Sequence, residues 1–241
     1  MRTIIWFIYF WLYLLFLWPK MHKAKKLTAA GDIAGADAIA QHEVPHWAGS
    51  LLHLAGMSIT TTGLENLPQD EAVVFVANHR SYYDIPVMLT QLGSAPALVS
   101  KIEVKKIPLI RMWMQFLHCV FLDRNNPRQA VAAMNEASDN LHKGYSVVIF
   151  PEGTRSKGEE KDLLEFKAGA FRIATKAKAK IVPVVLHNTR NAMENNGGWM
   201  KPAHITVDIL PAIDTAGMDK DAQRALPEAV QKLIAEKLAT L

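Results

Sequence analysis

Hydrophobic positions crowd the start of the chain. From Ile4 to Trp18 the sequence reads IIWFIYFWLYLLFLW, fifteen residues without a charge or a glycine, ending at Pro19 and Lys20, Lys23, Lys25 and Lys26. As a helix this run is about 23 Å long, short of the roughly 30 Å hydrocarbon core of a bilayer. Next, alanine-rich Asp32–Gln41 predicts a short helix, and His46–Met57 a second apolar helical stretch. Gly63–Pro68 reads as a turn before a first strand at Ala72–Ala77. Short apolar runs with β-branched residues, bounded by turn or charged residues, predict further strands at Ala97–Ser100, Cys119–Leu122, Ser146–Phe150, Ile181–Leu186 and His204–Ile209.

Helical spacing lies between these strands. Asn125 and Asn126 stand as caps before Pro127, a residue suited to the first helical position, and Ala130, Val131, Met134, Ala137 and Leu141 recur three and four apart. Gly169–Lys180 is a second such segment. Leu226, Val230, Leu233, Ile234, Leu238 and Leu241 form the stripe of a C-terminal helix. The alternation predicts an α/β fold: a mainly parallel central sheet flanked by helices, with an N-terminal membrane-associated helical pair. Residues 1–57 would form the helical region and residues 58–241 the α/β domain.

Composition narrows this picture. Half of the 241 residues are hydrophobic and 21% are charged, enough for a buried core and incompatible with general disorder. The net charge of +4 suits an anionic membrane surface or anionic substrates and is too small to argue for nucleic acid. A single cysteine, Cys119, excludes an internal disulfide, and no Cys/His spacing resembles a zinc site. The lysines after Pro19 replace the small residues of a cleavage site, so the apolar run is a poor signal peptide. Its Trp and Tyr at positions 6, 9, 11, 13 and 18 prefer the membrane interface, and the lysines reach headgroup phosphates. A tilted or partly embedded anchor is favoured over a true span, and both over a buried helix whose polar aromatic tips would need partners. If the run does span, the lysine cluster favours the remainder staying cytoplasmic. The expected location is the cytoplasmic face of the membrane, anchored by this N-terminal helix.

Three expected strand ends carry chemistry. The first runs into Asn78-His79-Arg80-Ser81-Tyr82-Tyr83-Asp84, where a neutral imidazole suits proton abstraction and a carboxylate can fix its tautomer. On a continuous helix His79 and Asp84 would stand about 140° apart, so the pair requires a turn between them. Another strand leads into Phe150-Pro151-Glu152-Gly153-Thr154-Arg155-Ser156. Here Arg155 offers a phosphate fork, Gly153 and Thr154 backbone N–H groups, and Glu152 either a hydroxyl contact or an orienting partner for Arg155. Phe121-Leu122-Asp123-Arg124 supplies a second guanidinium. Neither run matches a nucleotide-binding glycine loop. Cys119 reads as a buried small hydrophobe rather than a covalent acyl carrier. Lys105, Lys106 and Arg111 add charge suited to an acidic carrier protein, to lipid phosphates or simply to a solvated face.

These blocks together closely resemble the glycerolipid acyltransferases. NHRSYYD resembles the family's His-x4-Asp motif, FLDR the second motif, FPEGTRS the third and IVPVVL, with Pro183, the fourth. SKIEVKKIP (Ser100–Pro108) and FKAG (Phe166–Gly169) resemble the segments that link and follow them. The resemblance implies His79 as general base with Asp84 as its partner. It also implies Arg124 and Arg155 on the acceptor phosphate, Lys101 nearby, and Glu152, Gly153 and Thr154 shaping the acceptor site. His118-Cys119 and the bulky Tyr82-Tyr83 depart from the common pattern. The implied reaction moves an acyl group from acyl-CoA or acyl carrier protein to the free hydroxyl of 1-acyl-sn-glycerol 3-phosphate, giving phosphatidic acid. It needs no metal or further cofactor. Rival readings are transfer to another lysolipid such as a lyso-aminolipid, hydrolysis of a lipid or thioester, and a non-enzymatic membrane adaptor binding anionic lipids.

Overall fold

Seven short strands form one sheet in the computed structural model, which describes residues 1–241. They are β1 (Met57–Thr62), β2 (Val74–Ala77), β3 (Ala97–Lys101), β4 (Val120–Leu122), β5 (Val147–Ile149), β6 (Ile181–His187) and β7 (Ala203–Ile209), in spatial order β1-β7-β6-β2-β5-β3-β4. Every pairing is parallel except β6 with β7. The helices are α1 (Arg2–Phe16), α2 (Trp18–Ala29), α3 (Ile33–Ala55), α4 (Asp84–Gln91), α5 (Pro108–Phe116), α6 (Pro127–His142), α7 (Ala168–Ala177) and α8 (Lys220–Leu238).

The sheet is buried on both faces, which explains its near-continuous apolar strands. In β2, Phe75 and Ala77 point into the core formed with α1 to α5, while Val74 and Val76 point into the core formed with α6 to α8. Because β2, β5, β3 and β4 all pair in parallel, the loops after β2, β4 and β5 lie together at the carboxyl edge of the sheet. The expected cap at Asn126 is present, accepting from Gln129 N before Pro127, and Asp219 likewise accepts from Ala222 N at the start of α8.

The N-terminal layer differs from the sequence expectation. Asp32–Gln41 and His46–Met57 are not two helices but one, α3, which runs through Pro45 from the Asp32 cap to Gly56 at φ +82°. Met57 is already in a strand. The alternation of half-buried and exposed positions along MSITTT is weak because its outward residues are serine and threonine, and the preceding apolar run masked it. Helices α4 and α5 were also not anticipated; each is nine residues or fewer, too short to show a full stripe. α1 and α2 meet at a 45° bend, and no single helix is long and apolar enough to cross a membrane. One side of α1 packs inward, with Leu14 buried and the Trp6 indole donating to Leu51 O at 2.9 Å. Its other side exposes Ile4, Ile5, Phe7, Ile8, Leu12 and Leu15.

Candidate active site

The turn after β2 closes on Asp84, the first residue of α4. One oxygen of this fully buried carboxylate accepts from His79 Nδ1 at 2.8 Å, Arg80 N at 2.6 Å and Ser81 N at 2.9 Å. Wrapping the backbone around the carboxylate brings together two side chains that a helix would have separated. A carboxylate at Nδ1 places the imidazole proton there and leaves Nε2 as the basic nitrogen. Phe150 stacks against the imidazole, with centroids 4.2 Å apart and planes 21° from parallel, which holds the ring in one plane. The strand end is pinned as well: Asn78 exchanges two hydrogen bonds with the backbone of Leu186 at the end of β6, each 2.8 Å long.

Glu152 is turned into the junction between the two loops. It is 2% exposed, and its two oxygens accept from His79 N at 2.7 Å and Leu164 N at 2.9 Å. Arg155 bonds Glu194 instead, and the Glu152 oxygens meet backbone amides. The carboxylate ties the His79 turn to the loop after β5, because the nearest unpaired donors are backbone amides. Ser156 N closes the same junction from the other side, donating to His79 O at 2.8 Å. Burial raises the Glu152 carboxyl above its ordinary 4.5, and the two amides with the nearby His79 and Arg80 only partly offset this.

Arg80, 2% exposed, spans the same loop from within, donating to the carbonyls of Gly158, at 2.6 Å, and Glu159. Sequence reasoning missed it, since an arginine after a histidine carries no local sign of burial.

The two arginines occupy different surroundings. Arg155 donates through Nη1 to Glu194 at 3.3 Å, and its guanidinium lies over the Tyr82 ring, 3.6 Å from the centroid. Arg124 instead lines a cavity of about 550 Å³ between α6, α7 and the ends of β3 to β5. That wall also carries Lys167, Arg172 and Lys176, with Val99, Leu122, Met134 and Ile149 as its apolar floor, and no carboxylate. Gly153 borders the cavity at φ +71°, a backbone conformation that favours glycine, with Lys167 Nζ 3.2 Å from where a Cβ would stand. Phe150 is the shared wall, facing His79 on one side and lining the cavity as well. Thr154 is exposed, and Lys101 ends β3 as an exposed residue that is not part of the cavity wall.

Cys119 is fully buried, its Sγ accepts from Leu98 N at 3.2 Å, and burial pushes the thiol up to about 12. It is an inert core residue. His118, at φ +56°, bonds Asp37 at 2.8 Å and stacks on Tyr145, joining α3 to the sheet away from the reactive turn. No cluster of three or more His, Cys, Asp or Glu side chains converges to hold a metal ion.

A buried carboxylate–imidazole pair at a strand end, with cations beside an apolar cavity, suits proton removal from the hydroxyl of an anionic amphiphile. A family model described as Acyltransferase matches residues 58–187. The chain is similar to the 1-acyl-sn-glycerol-3-phosphate acyltransferase of Borreliella burgdorferi, 30% identical over 190 residues, covering 79% of this chain and 75% of that protein. It is also 30% identical over 203 residues to the protein of the same name from Haemophilus influenzae, covering 82% of this chain and 81% of that one. The crystal structure of the 1-acyl-sn-glycerophosphate (LPA) acyltransferase PlsC from Thermotoga maritima superposes with a TM-score of 0.74 at 25% identity, over 100% of this chain and 97% of its own.

Proposed function

This chain belongs to the acyltransferase family, and we propose that it acylates the free hydroxyl of 1-acyl-sn-glycerol 3-phosphate from an acyl thioester, yielding phosphatidic acid. The observation that carries the reading is the His79–Asp84 pair, 2.8 Å apart at the carboxyl edge of the sheet, with Nε2 left as the basic nitrogen.

In this reaction His79 Nε2 takes the proton of the acceptor hydroxyl as its oxygen attacks the thioester carbonyl. Asp84 stabilises the imidazolium that forms. When the tetrahedral intermediate collapses, the C–S bond breaks and the imidazolium returns the proton to the departing thiolate of coenzyme A or acyl carrier protein. Arg155 and Arg124 meet the acceptor phosphate, Arg155 from the turn after β5 and Arg124 from the cavity that Gly153 borders. Guanidinium forks match the oxygens of a phosphomonoester. Lys101 and Thr154 complete the acceptor surroundings.

Residues 1–57 hold the enzyme to the cytoplasmic face of the membrane, with residues 58–241 carrying the chemistry. The reading is supported by the exposed apolar side of α1, followed in α2 by Lys20, Lys23, Lys25 and Lys26, which suit anionic headgroups.

The test is turnover by the full chain in detergent micelles, with acyl-CoA or acyl carrier protein and a panel of lysolipids. We expect acyl-lipid product on 1-acylglycerol 3-phosphate, and a loss of about 100-fold or more in His79→Ala with the fold retained. Near-parent turnover in a folded His79→Ala protein would remove the mechanism. Free fatty acid as the main product would replace transfer by hydrolysis.

A further inference from the structure

Glu194 lies outside every motif read from the sequence, in the segment that follows β6, yet it makes two bonds into the His79–Asp84 turn and a third to Arg155. Its Oε2 accepts from Ser81 Oγ at 2.7 Å, and its Oε1 accepts from Tyr82 N at 2.9 Å and from Arg155 Nη1 at 3.3 Å. The side chain is only 15% exposed. Ser81 and Tyr82 sit between His79 and Asp84, so the carboxylate braces the turn that makes the pair. Tyr82, 62% exposed, leaves its amide to Glu194 and lays its ring under the guanidinium of Arg155. One edge of Arg155 is thus held by a charge and its flat face by a ring. Its Nε and Nη2 have no protein partner.

We propose that Glu194 and Tyr82 are positioning residues that fix Arg155 for the acceptor phosphate, and that Glu194 couples this anion site to the geometry of the His79–Asp84 turn. The inference rests on Arg155 meeting that phosphate. A free arginine has many rotamers, and holding one edge and one face removes most of them before the ligand arrives. The exposed donors then select a phosphomonoester over a neutral headgroup. A bulky tyrosine at position 82 has a use here that a small residue would lack.

Steady-state kinetics of the full chain, with acceptor and donor varied in turn, tests this. Glu194→Gln keeps an oxygen for the Tyr82 amide and removes the charge. We expect its acceptor KM to rise about 10-fold, with donor KM unchanged and kcat within about twofold. Glu194→Ala also frees the turn and should lower kcat by about 10-fold in addition. Tyr82→Ala should raise acceptor KM about threefold, and Tyr82→Phe, which keeps the ring, should recover most of that. In an Arg155→Ala background, Glu194→Gln should shift acceptor KM no further. The acceptor-KM effects should be confined to phosphorylated acceptors and absent with monoacylglycerol, whereas the kcat loss of Glu194→Ala should appear with both. Circular dichroism and melting confirm that each variant is folded, and Glu194→Gln decides the matter if Glu194→Ala does not fold. Parent-like acceptor KM in Glu194→Gln, alongside a raised value in Arg155→Ala, overturns the positioning role and leaves Arg155 in place. A Glu194→Gln effect that persists without Arg155 overturns it too. Parent-like acceptor KM in Arg155→Ala overturns the phosphate reading of Arg155 and this proposal with it.

Discussion

Asp84 and Glu152 are both buried carboxylates of the same junction, and they differ in what they touch. Asp84 has a side-chain imidazole as well as two amides, so in the proposed mechanism it acts on the base directly. Glu152 has two backbone amides from two loops, so it acts on where that base stands. Glutamine at 152 has one carbonyl oxygen, and its amide would face an N–H instead of accepting from it. Glu152→Gln should therefore leave one of the two N–H groups without an acceptor and cost about 1–3 kcal/mol. Its kcat should fall while both KM values stay near those of the parent, because both of its oxygens are engaged by backbone amides. Thermal melts and the kcat–KM split check this, and a raised acceptor KM alone would return Glu152 to the binding surface.

At the scale of elements, α2 and α3 are joined by a charge. Lys20 Nζ lies 2.6 Å from Glu43 Oε1, and His42 Nδ1 lies 2.8 Å from the same oxygen. Burial pushes the Glu43 carboxyl up, but the Lys20 and His42 bonds together outweigh it and hold the group below its ordinary 4.5. A carboxyl depressed in the folded state contributes stability above its unfolded value and loses it as the pH falls through the folded one. Lys20 is about half exposed, so solvent screening limits the contribution to less than about 1 kcal/mol. The melting temperature should drop as the pH is lowered from about 5 to 3, and more steeply in the parent than in Glu43→Gln. Equal slopes in the two proteins would show that the pair contributes nothing.

At the scale of the molecule, α1 has one side in the core and one exposed apolar side. Leu14 and Leu17 are buried in the core shared with the sheet, and Trp6 lies 6.0 Å, ring to ring, from Tyr83 beside the reactive turn. Removing the chain up to Lys20 would take out core side chains along with the exposed apolar ones. Substitution separates them. Ile8→Glu with Leu12→Glu alters only exposed positions and should keep the melting temperature within a few degrees while moving protein out of the vesicle-bound fraction in flotation assays. Leu14→Ala should instead cost about 2–5 kcal/mol and leave vesicle binding of the folded protein intact. Undiminished flotation of the double variant would move the membrane contact to another surface.

Local rules reached far into this protein. Asn126-Pro127 marked the start of α6, and apolar runs marked six of the seven strands, because caps and period-two burial are written in neighbouring residues. The demand for a turn between His79 and Asp84 followed from helical geometry alone. β1 escaped because its Thr-rich face contrasts little with its inward positions, and α3 passed through Pro45 where the sequence suggested a break. Only the tertiary structure decided the rest. Glu152 turned to backbone amides, Arg124 and Arg155 parted to different surroundings, and Glu194 arrived beside Tyr82 from 112 residues further along the chain. A buried polar group bonds to whatever donor the packing leaves unpaired. That partner is set by which loops meet at the edge of the sheet, a property of the whole fold that no run of neighbouring residues contains.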